Sequence, residues 1–456
     1  MSSWFFVVLF SLLSAAAPRG LELQDAKTGE AWEEADFTPL DPDLSEEELA
    51  AMGTEAFALV KESYETELES VTFRFGTAEE IAAILKEHNL KVLARMLPEA
   101  KQEEIEAAAR QLSEGLSDAL LAKFNFDENE VLVNLDVFFM MQDELGLEGF
   151  ASYEVLKAVL VHETVHAIDD VEFSLSKVED LIVDTDSSQT VNALIEGHAQ
   201  FRSRRVCADH GMTAAFERFS SAISMVPETD DPVEALVMAT FVAQMTFWYE
   251  EGERFFLAIY AAKGEEGVRE GFQAPPTESV LITQPGWYLD PSSRPEAEFD
   301  LEERLGVIID LSSQNDRTLT KMKLLKPQIA VGLALLPEVE VESVLAELQD
   351  NLMAFHQGGE DIFSVGVFSM SSAVWSRSFF ELEEELLYAK DEAMKDPPIR
   401  ILLSEYEPVE EGVQYGEAVA GNFEGLYCRK VMEVGSMEME IGSLIAVRGR
   451  AVIEIT

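Results

Sequence analysis

Two histidines one helical turn apart, with a glutamate beside the first, are the residues of this sequence best suited to chemistry. His162-Glu163-Thr164-Val165-His166 places both imidazoles on one face of a helix, where they can reach one tetrahedral zinc ion. Glu163 then lies beside the open coordination position, where it can take a proton from the attacking water and deliver it to a leaving group. With 6 His and 87 acidic residues in 456 positions, a shuffled chain would contain this pattern only about 0.015 times.

A catalytic zinc site needs a third protein ligand, and residues 192–200 offer two candidates. We take Glu196 as the third ligand, which gives a His, His, Glu set, and keep His198 as the alternative. The two residues lie about 200° apart around a helix, so they cannot easily bind the same ion. Asp169 and Glu172 stand where the metzincin pattern has Gly and His, and this excludes the metzincin class.

Other polar residues are spaced to support these ligands. Asp170 and Gln200 each lie one turn after a ligand, and either could accept the second ring N–H of a metal-bound histidine. A hydrolase of this kind also needs a donor to the developing oxyanion. The candidates are Tyr249, Tyr260 and Tyr288. The basic run Arg202, Arg204 and Arg205 could hold a substrate carboxylate, although such a run more often pairs with neighbouring acids.

Both segments that carry the ligands are predicted to be long helices. Ser152 can cap a helix that runs to about Asp170, with apolar residues at helical spacing before the motif. A second helix, at about 188–205, carries Glu196. Gly197 inside that helix costs stability, which makes sense if a second helix or a ligand approaches closely there.

A small sheet is expected beside these helices. Residues 71–75 alternate as a strand, and residues 124–135 resemble a hairpin. Its second strand, 131–135, is the candidate edge that would align an extended peptide by β-addition. We therefore predict an α+β fold, with a helix-rich, zincin-like domain over 61–295.

A cluster of Pro and Ser at 291–295 predicts a domain boundary. Residues 296–456 are expected to form a smaller α/β domain that packs on the first or helps to bind substrate. Its strands are predicted near 303–311, 362–377, 399–407 and 440–455, and its helices near 316–336, 340–356 and 379–394.

The N-terminus has the form of a secretory signal. A short apolar run at 4–13, too short to span a membrane, is followed by small residues before Ala17. We expect residues 1–16 to be a signal peptide and 17–60 an acidic leader. The mature protein would then be secreted or periplasmic, with no membrane span.

Charge and cysteine content exclude several classes. A net charge of −54 repels phosphate backbones, so no nucleic-acid partner is expected. A peptide or protein substrate is expected from the metal motif. Cys207 and Cys428 are the two cysteines, which is too few for a Cys-based zinc site. They either pair or stay as two buried thiols. The sequence does not indicate an oligomeric state.

The metal motif resembles that of the gluzincins, the thermolysin-like branch of zinc metallopeptidases. The match consists of the HExxH sequence beginning at His162, together with Asp170 and Glu196. Thermolysin-like enzymes have Asp at the position of Gln200. The resemblance implies one zinc ion and hydrolysis of peptide bonds.

A closer resemblance is to a group of poorly characterised exported bacterial proteins with HExxH and EGxA motifs. Its downstream segments are similar to residues 249–255 (YEEGERF), to 275–288 and to 358–375, so the resemblance covers roughly 70–455. Gln284 stands where that group usually has His. This departure favours one alternative, a binding or scaffold protein without turnover. A zinc hydrolase of a non-peptide bond is the other alternative.

Overall fold

The computed structural model describes two parts of the chain. The first comprises residues 37–64, 66–98, 100–117, 120–225 and 241–294. The second is the backbone of seven strands between 318 and 455. The expected signal peptide, 1–16, lies outside the described residues. No helix in the described ranges combines the length and the apolar character needed to cross a membrane.

Helices dominate the first part. In chain order they are α1 (Glu46–Ser63), α2 (Ala78–Met96), α3 (Gln102–Ser117), α4 (Leu135–Glu144), α5 (Tyr153–Phe173), α6 (Leu175–Glu179), α7 (Thr185–Asp209), α8 (Thr213–Ile223), α9 (Gly252–Gln273), α10 (Ser279–Thr283) and α11 (Pro285–Leu289). A π-helical turn, Phe247–Glu251, leads directly into α9. With the small sheet described below, this is the α+β class that the sequence predicts.

The small sheet has three strands, β1 (Thr72–Phe75), β2 (Ala122–Asn125) and β3 (Glu130–Val133). Their spatial order is β1-β3-β2, with β1 parallel and β2 antiparallel to β3. The prediction that 131–135 forms an edge strand is therefore wrong, because β1 covers the side of β3 that a hairpin alone would leave open. The edge strands are β1 and β2.

The end of the expected leader belongs to the folded core. Leu40 and Leu44 are buried there, and α1 packs along α5. The backbone N–H and hydroxyl of Thr38 both donate to the carboxylate of Glu154, at 2.9 Å each, in the first turn of α5. Within the described residues, 37–60 thus packs with the domain that was expected to begin at 61.

Helices α5 and α7 form the centre of the helical part. Ser152 caps α5 by accepting a hydrogen bond from Val155 N–H, as predicted, and the helix is buried on nearly all sides from 155 to 169. A helix buried all round needs apolar residues on every face, and the sequence of α5 supplies them. Helix α7 packs against α5 and extends four residues beyond the predicted end at 205.

Two glycines let α7 and α9 approach closely. A Cβ added to Gly197 would lie 2.2 Å from the carbonyl carbon of Gly252, and one added to Gly252 would lie 2.1 Å from the carbonyl oxygen of Ala193. Real side chains do not approach backbone atoms so closely, so both positions require glycine. The expectation that Gly197 marks a close helix contact is confirmed.

The described residues of the second part form an antiparallel sheet. Its strands are β4 (Thr318–Met322), β5 (Leu348–Gly358), β6 (Asp361–Met370), β7 (Ile399–Leu402), β8 (Glu424–Val434), β9 (Met437–Arg448) and β10 (Ala451–Ile455), in the order β4-β5-β6-β10-β9-β8-β7. Helices predicted at 316–336 and 340–356 overlap β4 and β5. β5 pairs with β6 in antiparallel register from Gly358 opposite Asp361 onward, and this pairing overrides the helix propensity of Leu, Met and Gln in β5. The predicted elements at 303–311 and 379–394 lie outside the described residues.

Candidate metal centre

Three side chains from two packed helices converge on one point. His162 and His166 extend from α5 and Glu196 from α7, and their ligand atoms all lie within 4.8 Å of one another. The two Nε2 atoms are 3.1 Å apart. Glu196 Oε2 lies 3.4 Å from Nε2 of His162 and 3.3 Å from Nε2 of His166. This group can hold a metal ion, and His198 is not part of it.

The electrostatics of the group favour a charged carboxylate. Burial alone would raise the pKa of Glu196, but the neighbouring His166 and His162 rings lower it well below its usual value. Burial likewise opposes protonation of His166, yet Glu196 and Glu163 raise its pKa. Two imidazole nitrogens and one anionic oxygen are a donor set that zinc and similar divalent metals accept.

Glu163 lies beside the ligands and does not join them. Its side chain is 8% exposed, and Oε2 accepts a hydrogen bond of 2.8 Å from the backbone N–H of Phe124 in β2. Asn134, just after β3, donates its backbone N–H to the carbonyl oxygen of Leu121, just before β2. The backbone groups of Leu121 therefore point toward β3. Because these groups alternate, those of Ala122 and Phe124 point away from β3, toward the helix that carries the motif. The outer edge of β2, which has no strand partner among the described residues, therefore borders Glu163.

Among the three candidate tyrosines, Tyr249 lies at the metal group. Its ring stacks on that of His162, with centroids 5.6 Å apart and planes inclined by 19°. Burial raises its pKa well above the usual value, and the carboxylates of Glu196 and Glu163 raise it further. The phenol thus stays protonated at neutral pH and can donate a hydrogen bond. It belongs to the π-helical turn, an irregularity that occurs often at functional sites.

The other two tyrosines have structural contacts elsewhere. The Tyr260 hydroxyl accepts a hydrogen bond from Arg205 at 3.2 Å. The Tyr288 hydroxyl donates to carbonyl oxygens at the end of α9, those of Glu270 at 3.2 Å and Ala274 at 2.9 Å. Both contacts occupy the hydroxyl away from the metal group.

Neither Asp170 nor Gln200 accepts a ring N–H from a ligand, which corrects the supporting roles predicted for them. Asp170 accepts from the backbone N–H of Leu175 at 3.1 Å and so closes the turn between α5 and α6. Gln200 faces α8, where its amide donates to the hydroxyl of Ser220 at 2.8 Å. Among the described residues, Nδ1 of His162 and of His166 have no protein partner. Helical spacing alone places a side chain near a turn but does not fix which neighbour it faces.

The basic run pairs with acids, the more frequent outcome for such a cluster. Arg202 and Arg205 both bind Glu265 of α9, at 2.6 and 3.1 Å. Arg204 binds two more carboxylates, those of Glu217 and Glu253. Gln284 is exposed at the junction of α10 and α11.

Two groups near the ligands were not anticipated. Phe219 of α8 packs its ring edge against His162, with centroids 5.4 Å apart. The amide of Phe124 holds Glu163, as described above, and a backbone group carries no sequence signal. Protein-family models, curated proteins and solved structures were compared with this chain, and none of them matches.

Proposed function

We propose that this protein is an exported, zinc-dependent peptidase of the gluzincin type. The main support is the convergence of His162, His166 and Glu196 beside the carboxylate of Glu163. Zinc–ligand bonds of 2.0–2.2 Å at tetrahedral angles place two ligand atoms about 3.3 Å apart. The separations in this group are 3.1, 3.3 and 3.4 Å. The proposed export depends on the N-terminal sequence.

In the proposed reaction, the zinc ion and two side chains of the protein have separate roles. Bound zinc would polarise the scissile carbonyl and lower the pKa of the attacking water. Glu163 accepts the proton of that water and then transfers it to the departing amine. The phenol of Tyr249 donates to the oxyanion that develops on the carbonyl oxygen.

We propose the outer edge of β2 as the peptide-binding strand, in place of 131–135. An extended peptide can add a strand to an exposed edge through backbone hydrogen bonds. The edge of β2 runs past Glu163, because the amide of Phe124 bonds to its carboxylate. A peptide on this edge would bring one of its amide bonds next to the base. A compact non-peptide substrate would not use this edge, which is why we favour peptides.

Metal content and turnover test the proposal together. The purified protein should contain one zinc per chain and should cleave members of a broad peptide library. Removing the metal with a chelator should abolish cleavage, and adding zinc back should restore it. If the zinc-loaded protein cleaves no peptide, the peptidase proposal is wrong and a zinc-holding scaffold or a hydrolase of another bond replaces it.

We expect Tyr249→Phe to lower kcat by roughly 10²-fold, the effect of losing one oxyanion donor. The ring that stacks on His162 is kept, so zinc content should not change. Steady-state kinetics and metal analysis provide the measurement. Tyr260→Phe and Tyr288→Phe are matched controls, since their hydroxyls bond elsewhere, and both should keep kcat. An unchanged kcat in Tyr249→Phe would assign the oxyanion donor to another group.

A further inference from the structure

A chain of buried polar side chains links the three helices around the metal group. Asp169 of α5 lies 2.6 Å from Nδ1 of His198 in α7. Arg202, one turn further along α7, donates from Nε to Nε2 of His198 at 2.9 Å. Its other end binds Glu265 of α9 at 2.6 Å. Asp169, His198 and Arg202 are only 2%, 1% and 6% exposed.

The hydrogen-bond partners of His198 determine which of its ring nitrogens carries a proton. Arginine can only donate, so Nε2 of His198 must be the acceptor and carries no proton. The proton therefore lies on Nδ1, which donates to the carboxylate of Asp169. The neutral ring separates the negative Asp169 from the positive Arg202. Buried charges are costly unless they are paired or hydrogen-bonded. Here Asp169 accepts a hydrogen bond from His198, and Arg202 forms an ion pair with Glu265.

This series of hydrogen-bonded side chains involves the same two helices as the metal group. Asp169 follows His166 by three residues and His162 by seven, so all three lie on one face of α5. His198 follows Glu196 by two residues on α7. The Asp169–His198 hydrogen bond thus joins the same two helices that carry the three ligands, about one turn (~5.4 Å) further along α5.

Two other roles for His198 do not fit this geometry. Both of its ring nitrogens are occupied, so it has none left for a metal ion. The ring is also enclosed by Phe173, Phe256 and Phe272, with centroid separations of 4.9 to 5.8 Å, so no substrate reaches it. The geometry therefore supports a structural role for His198, as a contact between the two helices that carry the ligands.

We propose that Asp169 and His198 are positioning residues that hold α5 and α7 in the register at which His162, His166 and Glu196 converge. The site is then formed before the metal arrives, and binding does not have to order the two helices. This inference depends on the proposed metal centre but not on peptide hydrolysis.

Zinc affinity of the Asp169→Asn variant tests the inference. Asparagine keeps the shape but removes the charged acceptor, and the dissociation constant for zinc should rise about 10–100-fold, the usual effect of losing support around metal ligands. Affinity is measured by competition with a chelator. Thermal unfolding of the zinc-free protein, measured in parallel, reports the loss of stability separately.

Glu253→Gln is the matched control. Glu253 is also buried, at 6% exposure, and it binds Arg204 of α7, but it links α7 to α9 and not to α5. This variant should lose stability and keep its zinc affinity within about twofold. An unchanged affinity in Asp169→Asn, or an equal loss in both variants, would overturn the inference.

Two substitutions of His198 test whether a folding defect alone explains a loss of zinc affinity. His198→Asn keeps a donor near the position of Nδ1 and should retain most of the zinc affinity. His198→Leu removes the donor and should weaken zinc binding as Asp169→Asn does. Equal affinities of these two variants would overturn the proposal. If wild type binds zinc tightly but cleaves no peptide, the proposed function fails while this inference stands.

Discussion

Glu163→Gln should leave zinc content and folding unchanged while turnover falls by about 10²–10⁴-fold, the contribution of a positioned acid–base group. Glutamine has the same shape, and its amide oxygen can still accept the hydrogen bond from the backbone N–H of Phe124. The basic carboxylate alone is lost. Peptide-cleavage kinetics of the zinc-loaded variant, with metal analysis of the same sample, provide the measurement.

His162→Ala is the contrasting variant. It removes a ligand whose Nε2 lies within 3.4 Å of both other ligand atoms, so metal and activity should be lost together. Comparing the two variants distinguishes a residue that transfers protons from a residue that binds the metal. If the zinc-loaded Glu163→Gln protein cleaves peptides at the wild-type rate, Glu163 is not the base and the proposed mechanism is wrong.

Gly252→Ala should destabilise the protein by about 3 kcal/mol, at the upper end of the usual cost of overpacking a tightly packed contact. The added methyl group would lie 2.1 Å from the carbonyl oxygen of Ala193 and 2.8 Å from Cα of Gly197. Both are backbone atoms, so α7 and α9 would have to separate. Denaturant unfolding of the zinc-free protein measures the loss.

Gly115→Ala controls for the general effect of replacing a helical glycine. Gly115 lies in α3, and a Cβ there would meet nothing within 4 Å. Alanine is the better helix former by about 1 kcal/mol, so this variant should be as stable as wild type or more so. Equal unfolding midpoints for Gly252→Ala and wild type would mean that the two helices do not meet at these glycines.

Local patterns in the sequence predicted the ligand-bearing helices well. Ser152 caps α5 as expected, and the helical period brings His162 and His166 to one face. Glu196 joins them as the third side chain because its own helix packs against α5 there. Such features depend on residues close together in the chain, and for that reason helix spacing and capping rules could find them.

Long-range pairing was the part that the sequence did not reveal. β3 lies in the middle of its sheet because β1, some 58 residues earlier, pairs with it, and no hairpin pattern indicates that partner. The same limit applies to β5, whose residues favour a helix until β6 pairs with them. The amide of Phe124 and the contact of Asp169 with His198 also form only once distant segments meet.

Cys207 provides a chemical reporter of motion in the helix that carries Glu196. It is a fully buried free thiol on α7, and burial raises its pKa to about 12. The buried thiol is therefore almost wholly un-ionised at pH 8 and out of contact with solvent, so alkylating reagents react with it only after the helix opens. In a Cys428→Ser background, the alkylation rate therefore measures how often α7 detaches from its neighbours. Any ligand that holds Glu196 in place should slow that reaction in proportion to the openings it suppresses.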